Sequence, residues 1–109
     1  MSLDIDLIIF DCDGTLVDSE YLNCVSFSEI LNDLGLQEYC PDKISSLFKG
    51  KKFTNSIEQL KLAHDIEFPS DLNKKYVEKV TENLPLYLKP VDGALETVSR
   101  LSERHKICV

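Results

Sequence analysis

The sequence predicts an α/β protein whose sheet is interrupted by a helical bundle, and three observations predict it. An apolar run, Leu7-Ile8-Ile9-Phe10, leads straight into Asp11-Cys12-Asp13-Gly14, as a buried strand of a parallel sheet leads into a ligand-binding turn. Residues 18–84 then carry only helical spacing. A final helical segment leads back into a second apolar run, Ile107-Cys108-Val109.

The first run reads as a strand buried on both faces, because it shows no alternation of apolar and polar residues. After the acidic turn, Asp18 or Ser19 can cap a helix whose face is Leu22, Val25, Phe27, Ile30, Leu31 and Leu34, with Gly35 as its stop. Pro41 opens a short helix that Gly50 ends. Thr54 can cap a third, with Ile57, Leu60 and Ala63 on one face. The Pro69-Ser70-Asp71 stretch starts a fourth, in which Leu72, Tyr76, Val77, Val80 and Leu84 recur at three- and four-residue steps. Pro85 and Pro90 bracket a linker, since proline disfavours helix at and before its own position. Gly93 precedes a helix carrying Ala94, Leu95, Val98 and Leu101. A crossover through it would return residues 107–109 parallel to residues 7–10. The expected domains are therefore 1–17, the start of the α/β core; 18–85, the helical bundle; and 86–109, the linker, core helix and start of the next core strand.

Composition narrows the function. The chain of 109 residues has a net charge of −7 and 43% hydrophobic residues, an ordinary soluble composition that argues against nucleic acid as a partner. No apolar run approaches the ~20 residues of a membrane span. Four scattered cysteines without a C-x-x-C pair, and no secretory leader, read as reduced thiols of a cytoplasmic protein; a disulfide or zinc site is the weaker alternative. Lys49, Lys51 and Lys52 read first as a solvated face.

The chemistry concentrates at the acidic turn. Residues 1–20 hold six carboxylates and no Lys or Arg, an oxygen-only set that suits Mg²⁺. Asp11 and Asp13 lie two residues apart at a strand end, where side chains share a side. One carboxylate can attack a phosphoryl group while the other donates and retrieves a proton. Gly14 permits a tight turn and Thr15 adds a hydroxyl. A calcium loop does not fit, because glycine and glutamate are absent from the sixth and twelfth positions counted from Asp11. A plain strand-ending turn is the remaining alternative.

The run Phe10-Asp11-Cys12-Asp13-Gly14-Thr15-Leu16-Val17-Asp18-Ser19-Glu20 closely resembles the first motif of haloacid dehalogenase-like (HAD) hydrolases, in the subgroup of β-phosphoglucomutase and phosphoglycolate phosphatase. Phe48-Lys49-Gly50-Lys51 looks like that subgroup's cap loop, and Pro90-Val91-Asp92-Gly93-Ala94 like its re-entry into the core. The resemblance implies a Rossmannoid core with an inserted all-helical cap. It implies Asp11 as nucleophile and Mg²⁺ ligand, and Asp13 as general acid/base with its backbone carbonyl on the metal. Gly14 and Thr15 would shape the catalytic loop, residues 16–20 would form the flap and hinge, and Glu20, Lys49, Gly50 and Lys51 would bind substrate.

The implied reaction is Mg²⁺-dependent hydrolysis of a small phosphorylated sugar or sugar acid. Asn23 and Phe53 stand where mutases of the subgroup carry His and Arg, which favours a hydrolase over a phosphosugar mutase. A non-catalytic helical binding module is the rival from another class. The family's later Ser/Thr, Lys and acidic motifs are expected outside residues 1–109. The chain therefore reads as a truncated, inactive part of the fold, completed by the rest of the same enzyme or by a second chain.

Overall fold

A computed structural model describes residues 4–109; Met1, Ser2 and Leu3 of the expected first segment lie outside the described residues. In chain order the elements are β1 (Leu7–Ile9), β2 (Val17–Asp18), α1 (Glu20–Asp33), α2 (Pro41–Phe48), α3 (Phe53–Ala63), α4 (Leu72–Tyr87), β3 (Lys89–Pro90), α5 (Ala94–Ser102) and β4 (Lys106–Cys108). They form two compact units, one of residues up to Ser19 with Leu88–Val109, the other of Glu20–Tyr87.

In the first unit β1 and β4 pair in parallel, with Leu7 opposite Lys106, Ile8 opposite Ile107 and Ile9 opposite Cys108. The Phe10 amide extends the ladder by donating to the Cys108 carbonyl at 2.9 Å. The parallel return expected from the second apolar run is therefore present. Helix α5 starts at Gly93, whose φ of +80° favours a residue without Cβ. His105 Nδ1 lies 3.0 Å from the Ile5 carbonyl oxygen, which places the ring proton on Nδ1. The expected burial of β1 on both faces is not met: Leu7 is 47% and Ile9 70% exposed. Side chains alternate across a strand, and only the face carrying half-buried Ile8 and Ile107 is covered in this unit.

The second unit holds the core. Phe27, Ile30, Leu31, Leu36, Tyr39, Ile44, Phe48, Ile57, Leu60 and Leu72 form one cluster, and the Leu31 side chain is fully buried. Phe27 stacks on Phe48 at 5.5 Å and meets Phe53 edge-on at 5.1 Å, and Phe53 stacks on Tyr76 at 4.3 Å. Helix α1 is buried on several sides, so Ser26 and Ser28 need internal partners; their hydroxyls donate to the Leu22 and Tyr39 carbonyls.

Two boundaries differ from the sequence expectation. Helix α3 starts at Phe53 with Lys52 at its N-cap position, so Thr54 lies inside the first turn. The contacts of Phe53 with the aromatic cluster fix that start. Helix α4 runs through Pro85 to Tyr87, so the linker expected from residue 86 is helical at first. Tyr87 packs edge-on against Tyr21 at 5.6 Å, and buried Asn83 bonds to α1; these contacts outweigh local propensity. The buried face of α4 is accordingly rotated: Val77 and Leu84 of the expected apolar stripe are exposed, while Asn83 is buried.

Candidate active site

The turn after β1 is built around one carbonyl. The Cys12 oxygen accepts from the amides of Thr15 (3.2 Å), Leu16 (2.8 Å) and Val17 (3.2 Å). Gly14 sits at φ +76°, a left-handed conformation that side chains disfavour, and its amide donates to the Val17 carbonyl at 2.8 Å. The turn therefore keeps its shape through backbone bonds and leaves Asp11, Asp13, Gly14 and Thr15 exposed. The Ser19 hydroxyl reaches back to Asp13 Oδ1 at 3.4 Å.

The chain leaving this turn is tied to the chain returning to the sheet. Strands β2 and β3 pair antiparallel, Val17 opposite Pro90 and Asp18 opposite Lys89, and the Val91 amide donates to the Leu16 carbonyl at 3.0 Å. Neither this ribbon nor the Ser19–Asp13 contact was read from the sequence. Two-residue strands carry no periodicity, and a serine beside a helix start reads first as a cap.

The other expected site residues lie in the helical unit: Glu20 opens α1, and Lys49, Gly50 and Lys51 follow the end of α2. Glu20 Oε1 accepts from the Ser45 hydroxyl at 3.1 Å and lies 3.5 Å from Lys49 Nζ. Gly50 turns the chain at φ +77°. Lys51 Nζ donates to Gln59 Oε1 on α3 at 2.9 Å and lies 5.9 Å from the centre of the Phe48 ring. Lys49 and Lys51 are thus held at defined contacts as well as being solvated. Beside them, burial and then the Glu20 charge push the Cys24 thiol up from its ordinary range. The structure groups Asp11, Asp13, Gly14 and Thr15 in one turn, and Glu20, Lys49, Gly50 and Lys51 in the other unit.

Asp11 and Asp13 offer oxygen donors of the kind that Mg²⁺ prefers. Among the described residues no three His, Cys, Asp or Glu side chains converge as a cage. One carboxylate and a backbone carbonyl suit a cation that keeps several waters and takes its remaining oxygens from a phosphate. All four cysteines are free, and among the described residues no helix is long and apolar enough to cross a membrane.

Comparison with known families gives the same assignment. The sequence profile of the haloacid dehalogenase-like hydrolases matches residues 8–109. The chain belongs to the haloacid dehalogenase-like hydrolase family. Among curated HAD-like relatives, it is 31% identical over 98 residues to a phosphoglycolate phosphatase of Aquifex aeolicus (strain VF5). It is 27% identical over 99 residues to a 6-phosphogluconate phosphatase of Escherichia coli (strain K12). Each match covers 90% of this chain and 44% of the relative, so the chain spans less than half the length of the curated relatives it matches.

Solved HAD-like structures share the fold. A conserved protein of unknown function from Agrobacterium tumefaciens str. C58 superposes with a TM-score of 0.69 at 32% identity, covering 96% of this chain and 47% of that one. A hydrolase from Deinococcus radiodurans R1 with bound phosphate and sodium gives 0.64 at 25% identity, covering 94% and 44%. The α/β class with a small parallel sheet is therefore that of the family.

Proposed function

We propose that this HAD-like chain belongs to a Mg²⁺-dependent phosphatase of the cytoplasm that hydrolyses a small phosphorylated sugar acid through an aspartyl phosphate. The observation that carries the reading is the turn after β1, where backbone bonds to the Cys12 carbonyl hold Asp11 and Asp13 exposed at a strand end. The printed activities of the two curated relatives support the substrate class, since each substrate is a phosphate ester of a carboxylic acid.

In this reading Asp11 is the nucleophile. Its carboxylate oxygen bonds to phosphorus as the bond from phosphorus to the substrate's alcohol oxygen breaks, and Asp13 gives its proton to that leaving oxygen. Water then attacks the phosphorus of the aspartyl phosphate, Asp13 takes the water's proton, and Asp11 leaves as a carboxylate beside inorganic phosphate. Asp11, with the backbone carbonyl of Asp13, would hold Mg²⁺, which would supply charge opposite the phosphoryl oxygens. Gly14 and Thr15 shape the loop. Residues 18–85 form the cap domain, in which Glu20, Lys49, Gly50 and Lys51 serve substrate binding. Residues 1–17 and 86–109 belong to the core.

The packing of Phe53 supports hydrolysis over a mutase reaction. This position sits in the aromatic cluster with Phe27 and Tyr76 and offers no charge to grip a second phosphate.

The test is phosphate release from phosphoglycolate and 6-phosphogluconate, with Mg²⁺, by the whole enzyme to which this chain is proposed to belong. Asp11→Asn is expected to abolish release. Equal release by wild type and Asp11→Asn overturns the reading, as does transfer of the phosphoryl group to a second sugar in place of water.

A further inference from the structure

The corner between α1 and α2, residues 34–40, is fastened at Tyr39 to two different elements. The Tyr39 carbonyl accepts from the Ser28 hydroxyl on α1. The Tyr39 hydroxyl lies 2.6 Å from Nε2 of His64, the residue that ends α3. Tyr39 belongs to the buried core cluster, whereas the His64 side chain is 20% exposed and open to solvent protons. The same Nε2 also lies 3.7 Å from the Glu38 carboxylate. One nitrogen thus faces a hydroxyl that can donate to it and a carboxylate that can only accept.

We propose that His64 is a pH-operated latch on this corner: neutral, its Nε2 holds the Tyr39 hydroxyl; protonated, it turns to Glu38 and releases Tyr39. A neutral ring with its proton on Nδ1 has a lone pair at Nε2, so it accepts the Tyr39 O–H. Burial, and then the Glu38 charge, push the Tyr39 phenol up from its ordinary value, so the proton of this bond stays on oxygen. When a solvent proton occupies Nε2, that atom becomes a donor and the Tyr39 O–H loses its acceptor. The new N–H gains most from Glu38, because hydrogen bonds between ions are stronger than those to a neutral hydroxyl. Histidine is the side chain whose ordinary charge change falls between about pH 5 and 8. The latch is therefore closed on the alkaline side of that range and open on the acid side. The other charges beside the pair are Lys43 on α2, whose Nζ lies 4.7 Å from the centre of the Tyr39 ring, and Asp65, next to His64 in the chain. Lys61 in the last turn of α3 is already paired with Glu58. Ser28 keeps its bond to the backbone in both states, so opening loosens the segment leading into α2 without unfolding it.

The test is an NMR titration of the full chain from pH 8 to pH 5, following the ring signals of His64 and Tyr39. The Tyr39 signals are expected to move with the same midpoint as the His64 ring. His64→Gln, whose amide carries no charge at any pH, is expected to leave the Tyr39 signals flat across the range. Tyr39→Phe keeps the buried ring and removes the bond that favours the neutral imidazole, so it is expected to raise the His64 midpoint by about 0.5 to 1 pH unit. Glu38→Gln removes the partner of the protonated ring and is expected to lower that midpoint by a few tenths of a pH unit, about the scale of an exposed ion pair. The proposal is overturned if the Tyr39 signals stay still while His64 titrates, or if they titrate unchanged in His64→Gln. It is equally overturned if Tyr39→Phe and Glu38→Gln displace the His64 midpoint in the same direction, or not at all.

Discussion

The side-chain amide of Asn83 on α4 donates both to the Ser26 hydroxyl (3.1 Å) and to the Glu29 carboxylate (3.2 Å) on α1. Asn83 and Ser26 are both buried, and Lys79 adds an ion pair to Glu29 at 3.9 Å. This polar seam joins two helices that otherwise meet through apolar side chains. Asn83→Leu removes the donors while Ser26 and Glu29 stay in place, so it is expected to destabilise the fold by about 1–3 kcal/mol. Urea unfolding of the variant checks this through a lowered midpoint at unchanged slope. Asn83→Asp, which sets a second carboxylate against Glu29, is expected to cost more.

Stability is expected to fall in alkali. Burial raises the Tyr76 phenol above its ordinary value of 10.0, with a smaller contribution from Cys24, and burial and then the Glu20 charge raise the Cys24 thiol above 9.0. A raised value for these groups means that the folded state keeps a proton which the unfolded chain releases. Their contribution is therefore complete below the unfolded values and is lost as pH rises above about 9. Melting temperatures from pH 7 to 11 check the slope. Tyr76→Phe, which keeps the ring stack on Phe53 and removes the ionisable hydroxyl, is expected to flatten the alkaline limb.

The readable parts of this fold were those decided by backbone chemistry. Gly35, Pro41, Gly50 and Gly93 mark turns or helix ends where the sequence placed them, because their constraints act without any partner. The Asp-x-Asp-Gly turn was legible for the same reason, and the family match supports that reading of the motif. Thr54 and Pro85 misled because an aromatic cluster and a buried asparagine set the ends of α3 and α4. The exposure of Ile9 was missed because an apolar run reveals the tendency to be buried, but not what covers it. The different partners of Lys49 and Lys51 are likewise invisible to spacing, since Glu20 and Gln59 reach them only in three dimensions.

Gly14 separates backbone strain from steric clash. A Cβ built there meets nothing within 4 Å, yet φ is +76°. Gly14→Ala is therefore expected to cost about 1–2 kcal/mol through the left-handed backbone alone. Relief of that strain would pull the amide from the Val17 carbonyl and shift Asp13, its neighbour. A modest fall in melting temperature with a disproportionate fall in phosphate release is the expected pair of results. Gly50→Ala, at φ +77° with equally open surroundings, serves as a control for the strain on stability, with its functional effect confined to substrate binding.

The two carboxylates of the turn are expected to fail differently when replaced. In the proposed mechanism Asp11 supplies the attacking oxygen, so Asp11→Asn is expected to stop turnover of every ester. In the same mechanism Asp13→Asn keeps the nucleophile and removes the proton donor. Its cost therefore depends on how much the leaving oxygen needs a proton. For the alkyl oxygen of phosphoglycolate the loss is expected to be about 10²–10⁴-fold. For an aryl ester such as p-nitrophenyl phosphate, whose phenolate leaves unprotonated, the first step is expected to be nearly spared. Dephosphorylation still needs the base, so a burst of nitrophenol followed by slow turnover is the expected time course. Ser19→Ala removes only the 3.4 Å contact to Asp13 Oδ1 and is expected to slow the alkyl ester by a smaller factor without producing a burst. Equal losses on alkyl and aryl esters in Asp13→Asn would remove Asp13 from the acid–base role and leave it a ligand or a structural residue of the turn.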